Sequence, residues 1–224
     1  VGVGWYRTEF DVPQFQAGKR ATILFDGAMS HANVYINGQK VGYWPYGYNS
    51  FHFDITKYLK PGEKNTLAVR LENLPESSRW YPGAGLYRNV HLIITEDAYI
   101  PVWGTYITTP SVNEKFAKVN VRTKVVLPEG ADPAKYSVET SVWNPNKQKL
   151  TAVRTSLAQM KYNNNQAEQE FVIQAPSLWS PEMPALYSAE TRLYEGDKLK
   201  DIYTTPFGIR SIEIIPDKGF FLNG

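Results

Sequence analysis

Polar and apolar residues alternate with a period of two along much of this chain. The clearest run is Lys118-Val119-Asn120-Val121-Arg122-Thr123-Lys124-Val125. Successive side chains of a β-strand point to opposite faces, so the run predicts a half-buried antiparallel strand. Further strands are predicted over residues 5–12, 21–25, 34–36, 51–53, 66–71, 90–95, 136–143, 148–156, 166–173, 187–194 and 199–204. No segment has the pattern of a helix of about ten residues, and the all-β class follows.

Turn chemistry supports the strand pattern. Asn37-Gly38, between two apolar runs, supplies the two positive-φ positions of a type I′ turn and predicts a β-hairpin. Gly196, between Glu195 and Asp197, predicts a second tight connection. Asp54 is expected to cap a single helical turn that Pro61-Gly62 ends.

The chain divides near residues 96–101, a polar stretch that ends in a proline. About seven strands are expected in the second part, which predicts an immunoglobulin-like sandwich. Residues 220–222 form an apolar strand pattern followed by Asn223-Gly224, another hairpin turn signal. Because the chain starts Val-Gly-Val-Gly and stops on this signal, we expect it to be a piece of a longer protein. The Asn163-Asn164-Asn165 run predicts a loop.

The charge distribution and the cysteine content bear on the possible partners and on the compartment. The 24 basic and 22 acidic residues leave a net charge of +2, and they form no basic stripe, which argues against nucleic acid or an anionic membrane as a partner. With no cysteine, the fold needs no disulfides, and that absence fits cytoplasm and periplasm alike. The compartment stays open, with a periplasmic or extracellular location favoured over the cytoplasm.

Two aromatic segments are candidates for ligand binding. Residues 77–90 combine Arg79, Trp80 and Tyr81 with Pro and Gly, which predicts a shaped loop that leads into a strand from about residue 85. Residues 43–50 contain three tyrosines and a tryptophan and predict a second loop. Aromatic faces stack on the C–H faces of sugars, so carbohydrate is the expected ligand. The alternative is that these rings close the end of a sandwich or meet another domain.

The sequence offers little catalytic chemistry of its own. Glycosidases need two carboxylates at a defined separation, and only Glu72 and Glu76 flank the aromatic loop. His31, His52 and His91 share no metal-ligand spacing. Gly83 and Gly85 precede a strand rather than the helix of a phosphate loop. We therefore predict no catalytic residue, no metal site and no cofactor in this chain.

Several motifs together resemble glycoside hydrolase family 2. They are Gly4-Trp5-Tyr6-Arg7-Thr8-Glu9-Phe10, Phe25-Asp26-Gly27-Ala28-Met29-Ser30, Asn37-Gly38-Gln39-Lys40-Val41-Gly42-Tyr43, Phe53-Asp54-Ile55-Thr56, Leu59, Gly62-Glu63-Lys64-Asn65-Thr66-Leu67-Ala68-Val69 and Gly85-Leu86-Tyr87-Arg88-Asn89-Val90. In the second half they are Pro176-Ser177-Leu178-Trp179-Ser180-Pro181-Glu182-Met183-Pro184-Ala185-Leu186-Tyr187 and Phe207-Gly208-Ile209-Arg210-Ser211-Ile212. The motifs span nearly the whole chain in the order that the family has them.

The resemblance implies a jelly-roll sugar-binding domain at 1–98, truncated at its N-terminus, and an immunoglobulin-like sandwich at 99–215. Residues 216–224 would then begin the first hairpin of a catalytic (β/α)₈ barrel, which carries the family's catalytic glutamates. The implied partners are that barrel and, through its active site, a β-galactoside or related oligosaccharide; the parent enzyme could be a homo-oligomer. The chain would be a non-catalytic fragment of a retaining, β-galactosidase-like hydrolase.

The resemblance also selects site residues. In some β-galactosidases of the family the loop before the Gly-x-Tyr-Arg strand presents an acidic residue to galactose. That position falls on or beside Arg79 here, so Arg79, Trp80 and Tyr81, followed by Glu76, are the expected sugar contacts. Three alternatives stay open: an independent carbohydrate-binding module, a parent enzyme that is a β-glucuronidase or β-mannosidase, and a structural or adhesive two-sandwich protein.

Overall fold

The computed structural model describes residues 2–14, 18–158 and 166–224. It divides into two compact units, Val1–Glu96 and Asp97–Gly224. Both are built from antiparallel strands, which confirms the all-β prediction. In the described ranges no helix is long and apolar enough to cross a membrane. The Asn163-Asn164-Asn165 run lies outside the described residues.

The first unit contains two sheets that face each other. Its strands are β1 (Gly2–Asp11), β2 (Arg20–Phe25), β3 (Ala32–Ile36), β4 (Gln39–Trp44), β5 (Phe51–Asp54), β6 (Lys64–Asn73) and β7 (Val90–Thr95). One sheet has the order β1-β6-β3-β4 and the other β5-β2-β7. A short 3₁₀ turn, Thr56–Tyr58, follows β5. Ile55, not the predicted Asp54, is the N-cap residue of this turn, but the Asp54 carboxylate accepts a hydrogen bond from the first backbone N–H of the turn at 2.8 Å.

The core of this unit forms because alternate side chains of the central strands point inward. Val34 and Ile36 of β3 and Val69 of β6 are buried, and they meet Phe25 of the second sheet. The Phe25 ring stacks on Phe51 with centroids 4.8 Å apart. Strands β3 and β4 are joined by Asn37 and Gly38, whose φ angles of 51° and 80° confirm the predicted turn.

The second unit has the strand arrangement of an immunoglobulin-like sandwich. Its first seven strands are β8 (Thr105–Val112), β9 (Phe116–Lys124), β10 (Tyr136–Trp143), β11 (Lys149–Ser156), β12 (Gln166–Gln174), β13 (Tyr187–Glu195) and β14 (Lys198–Phe207). They form sheets of order β11-β10-β13-β14 and β12-β9-β8, with a 3₁₀ turn, Pro133–Lys135, before β10. The four-plus-three division matches the expectation from the sequence.

Two strands and one pairing went unpredicted in this unit. Strand β8 was absent from the predicted strands because its register shifts between Thr108 and Ser111, next to Pro110, and the shift breaks the alternation. The predicted apolar strand at 220–222 exists as β16 (Gly219–Leu222). It pairs with β15 (Ile212–Ile215), which precedes it in the chain. Neither β15 nor this pairing was predicted from the sequence.

A buried lysine of β14 forms ion pairs with the start of the second unit and with the end of β13. The Lys200 side chain is only 8% exposed, and its Nζ lies 3.0 Å from Asp97 and 3.6 Å from Glu195. The hydrogen bond from Lys200 lowers the pKa of the Asp97 carboxyl below its usual value. Asp201 behaves oppositely: burial raises the pKa of its carboxyl, although that group accepts backbone N–H bonds from Ile100 and Ile202.

We predict that Asp97→Asn lowers the free energy of unfolding at neutral pH and that this difference from the wild type shrinks in acid. A carboxyl whose folded-state pKa is depressed stabilises the fold fully above its unfolded pKa, near 3.8, and loses that contribution as the pH falls through the folded value. Urea unfolding at a series of pH values measures the difference. Asp197→Asn, at a fully exposed carboxylate, is the control. A gap for Asp97→Asn that stays constant with pH contradicts the prediction.

Candidate functional site

The four predicted contact residues lie together on the connection between β6 and β7. Glu76, Arg79, Trp80 and Tyr81 are all exposed there. The Trp80 side chain is 62% exposed and that of Tyr81 is 80% exposed. These aromatic rings therefore do not close the end of the sandwich, as one of the alternatives from the sequence required.

Hydrogen bonds within this connection give it a defined shape. Asn73 Nδ2 donates to the Gly83 carbonyl at 2.8 Å across the loop. Ser78 Oγ donates to the Trp80 carbonyl at 2.7 Å. Glu76 has a φ of 53°, in the left-handed region, so the chain turns sharply there. We call residues 76–81 the tip of the loop.

The base of the loop is attached to the sandwich at Gly85. Met29 and Gly85 exchange backbone hydrogen bonds, each 3.0 Å long, and form an isolated bridge. The sequence predicted a strand from about residue 85, but β7 begins only at Val90. Gly85 has a φ of 102°, which is not a strand conformation. The Tyr87 hydroxyl donates to the Gly47 carbonyl at 2.8 Å and links a second loop to this base.

This second loop covers residues 45–50, a shorter span than the sequence predicted. Tyr43 and Trp44 belong to β4 instead. The Trp44 ring stacks on Phe51 in the core, with centroids 5.6 Å apart. The side chains of Tyr46 and Tyr48 remain 52% and 40% exposed on the loop itself.

The two loops are also joined by a hydrogen bond between two side chains. Trp80 Nε1 donates to the Tyr48 hydroxyl at 3.0 Å. The Tyr46 and Tyr48 rings meet edge to face, with centroids 5.6 Å apart and planes at 63°. Three exposed rings from two loops are thus adjacent. The sequence separated them, since positions 48 and 80 are 32 residues apart.

Glycine is required at position 47 by close packing. Gly47 is buried, and a Cβ there would approach Met29 Cε to 2.6 Å. Met29 is itself 6% exposed and joined to Gly85. Gly47 therefore lets both loops rest on the same buried methionine.

The carboxylates and histidines that the sequence singled out do not converge. Glu72 is paired with Arg70 at 3.0 Å, and Glu76 is on the exposed loop tip. His91 bonds Asp26 at 2.9 Å, and His31 bonds the Tyr43 hydroxyl at 2.7 Å. Burial lowers the pKa of His52. In the described ranges no group of three or more such side chains could hold a metal ion.

Comparison with known families identifies both units. Residues 1–96 match the sugar-binding domain of glycosyl hydrolases family 2, and residues 99–210 match a second domain of glycosyl hydrolases family 2. The chain belongs to glycosyl hydrolase family 2. The exposed aromatic loops of this family 2 chain therefore lie in its sugar-binding domain.

Individual relatives agree with the family. The chain is 41% identical over its full length to the β-galactosidase BoGH2A of Bacteroides ovatus, of which it covers 26%. It is 38% identical to a putative β-glucuronidase of Formosa agariphila and covers 21% of that protein. The chain thus spans about a quarter of the length of these family 2 relatives.

Solved structures of the family superpose on the whole chain. A family 2 member from Bacteroides cellulosilyticus gives a TM-score of 0.88 at 34% identity, over 100% of this chain and 29% of the other. A β-glucuronidase from Bacteroides uniformis gives 0.81 at 29% identity, over 100% and 28% respectively. The two-sandwich architecture is thus shared with family 2 enzymes.

We predict that Gly47→Ala destabilises the first unit of this family 2 chain by about 1–3 kcal/mol, the usual cost of overpacking. The added methyl group must displace the end of the buried Met29 side chain and crowds the Met29 Cα, 3.2 Å away, next to the backbone bridge to Gly85. Thermal unfolding and the amide resonances of residues 29 and 85 measure the effect. Gly4→Ala is the matched control, because a Cβ there lies 3.9 Å from Tyr6, an ordinary contact. Equal melting temperatures for the two variants contradict the prediction.

Proposed function

We propose that this chain is the non-catalytic N-terminal part of a retaining family 2 glycosidase that resembles β-galactosidases. Its loop tip would contact the substrate in the active site of a separate catalytic barrel. In this proposal residues 1–98 are the sugar-binding domain, 99–215 the immunoglobulin-like domain and 216–224 the start of the connection to the barrel. The observation that carries the proposal is the exposed pair Trp80 and Tyr81 in a sugar-binding domain.

The surroundings of Glu72 and Glu76, the two acids beside the aromatic loop, support a catalytic domain elsewhere. Glycoside hydrolysis by retention requires two carboxyl groups about 5 Å apart around the scissile bond. Glu72 is paired with Arg70 instead, and Glu76 is exposed on the loop tip. Since the relatives are about four times longer than this chain, they have ample length for a barrel.

The last hairpin offers a surface for that barrel. In the β15–β16 register Ile214 lies opposite Phe220, so both side chains are on one face together with Ile212. Their side chains are 77%, 63% and 54% exposed respectively. A contiguous apolar face of this kind is typical of a surface that another domain covers. We propose the catalytic barrel as that domain.

A glucuronidase is the second candidate for the parent enzyme. Its specific support is Arg79, an exposed cation beside Trp80, because a guanidinium binds a carboxylate through two parallel hydrogen bonds. A uronic acid carries such a carboxylate and galactose does not. β-Galactosidase stays the first proposal because BoGH2A has the higher identity, 41% against 38%.

We predict that the purified chain alone does not hydrolyse aryl β-galactosides or aryl β-glucuronides. In the proposed function the carboxylates that protonate the leaving group and attack the sugar belong to the separate catalytic barrel. Release of nitrophenol measures turnover, and an intact family 2 β-galactosidase is the positive control. Turnover that follows the chain through purification contradicts the proposed division of labour.

In the enzyme that contains this chain, we predict that Trp80→Ala and Arg79→Ala raise KM and leave kcat nearly unchanged. Loss of a contact used equally in the ground and transition states has that signature, with about tenfold in KM for each 1.4 kcal/mol of lost binding. Trp5→Ala is the matched control, because Trp5 is 61% exposed but lies on β1. Arg79→Ala should impair glucuronides more than galactosides if the second candidate is right. An unchanged KM for Trp80→Ala supports a purely structural role and contradicts the proposal.

A further inference from the structure

We propose that Tyr46, Tyr48 and Trp80 form one preformed aromatic platform that binds a soluble oligosaccharide, with Tyr48 as the positioning residue for the Trp80 indole. The choice of carbohydrate as the ligand rests on the proposed function. The involvement of the 45–50 loop goes beyond it, because that function assigns substrate contacts only to the 76–81 tip.

The first argument is that Trp80 is exposed although both its backbone carbonyl and its indole N–H are hydrogen-bonded. Its carbonyl accepts a hydrogen bond from Ser78 Oγ at 2.7 Å, and its indole N–H donates to Tyr48 at 3.0 Å. A tryptophan that is 62% exposed normally samples several rotamers. Fixing the ring beforehand reduces the entropy that a ligand must overcome on binding, which is the arrangement expected for a binding face.

The second argument is the chemistry left free on Tyr48. A phenol hydroxyl can accept hydrogen bonds and donate one. Since it accepts from Trp80 Nε1, its own O–H remains able to donate to a ligand. Rings that offer apolar faces with a hydroxyl donor between them suit a pyranose, which has C–H faces and equatorial hydroxyl groups.

The third argument concerns the shape of the platform. The Tyr46 and Tyr48 ring planes are inclined at 63°, so the surface is angled. A flat surface of packed polysaccharide chains would need coplanar rings. Three adjacent rings also exceed what one monosaccharide covers. The geometry therefore favours a soluble oligosaccharide of two or more units.

The rigidity of the 45–50 loop is the fourth argument. Gly47, between the two tyrosines, packs on Met29, and its carbonyl accepts a hydrogen bond from Tyr87. Tyr87 belongs to the same connection as Trp80. Both halves of the platform are thus attached to one buried base, and a ligand need not bring them together.

The experiment is a titration of the 224-residue chain with β-1,4-galactotetraose, followed by the indole N–H resonances of the six tryptophans. Trp80→Phe assigns the Trp80 signal. We expect that signal to move with a saturable, millimolar dissociation constant, while the Trp5 signal stays still. Galactose alone should bind more weakly than the tetrasaccharide. No saturable shift of the Trp80 signal overturns the proposal, while the KM effect of Trp80→Ala tests the proposed function separately.

Tyr48→Phe tests the positioning role. It keeps the ring and removes the hydroxyl, so the Trp80 indole N–H should exchange faster with solvent even without sugar, and affinity should fall about two- to tenfold. Tyr43→Phe is the matched control, because Tyr43 is similarly exposed and its hydroxyl bonds His31. Tyr46→Ala should weaken binding without changing the exchange rate. Unchanged affinity in both Tyr48→Phe and Tyr46→Ala overturns the shared platform even if Trp80 itself binds sugar.

Discussion

The site depends on the two backbone hydrogen bonds between Met29 and Gly85. Each residue donates its N–H to the carbonyl of the other at 3.0 Å, and this pairing fixes the base of a loop whose tip is in solvent. Gly85 can pair there because a φ of 102° is open to glycine. With the base fixed on a buried methionine, the tip is shaped by a few local hydrogen bonds, and its aromatic rings can stay exposed without collapsing onto the sandwich.

Most of the fold could be predicted from the sequence because its signals are local. The alternation in β9 follows directly from burial of one face, and Asn37-Gly38 specifies its own turn. The elements that were not predicted have either an irregular register or a pairing that the local sequence does not specify. Strand β8 has a register shift beside Pro110, and the pairing of β15 with β16 joins segments whose side chains remain largely exposed.

The site was predictable only in part, for the same reason. Pro and Gly around Trp80 identify a loop, and aromatic residues on a loop suggest a ligand. Sequence patterns could not distinguish the core ring of Trp44 from the exposed ring of Tyr48, four positions later, because both stand in one aromatic run. Nor could they pair Tyr48 with Trp80, since that contact depends on how the fold brings together two loop residues that are 32 positions apart.

In the proposed function, a division of labour between domains accounts for the position of the candidate binding groups on the loops. In a two-sheet sandwich the side chains of the inner faces form the core. A flat outer sheet face offers little concave surface to a sugar. Loops at the strand ends can instead combine rings from distant segments, as Tyr48 and Trp80 do. Binding energy from such remote contacts can assist chemistry at another domain's carboxylates by holding the substrate in place. The sandwich suits that proposed task because hydrogen bonds within the fold, and not a ligand, connect its loops.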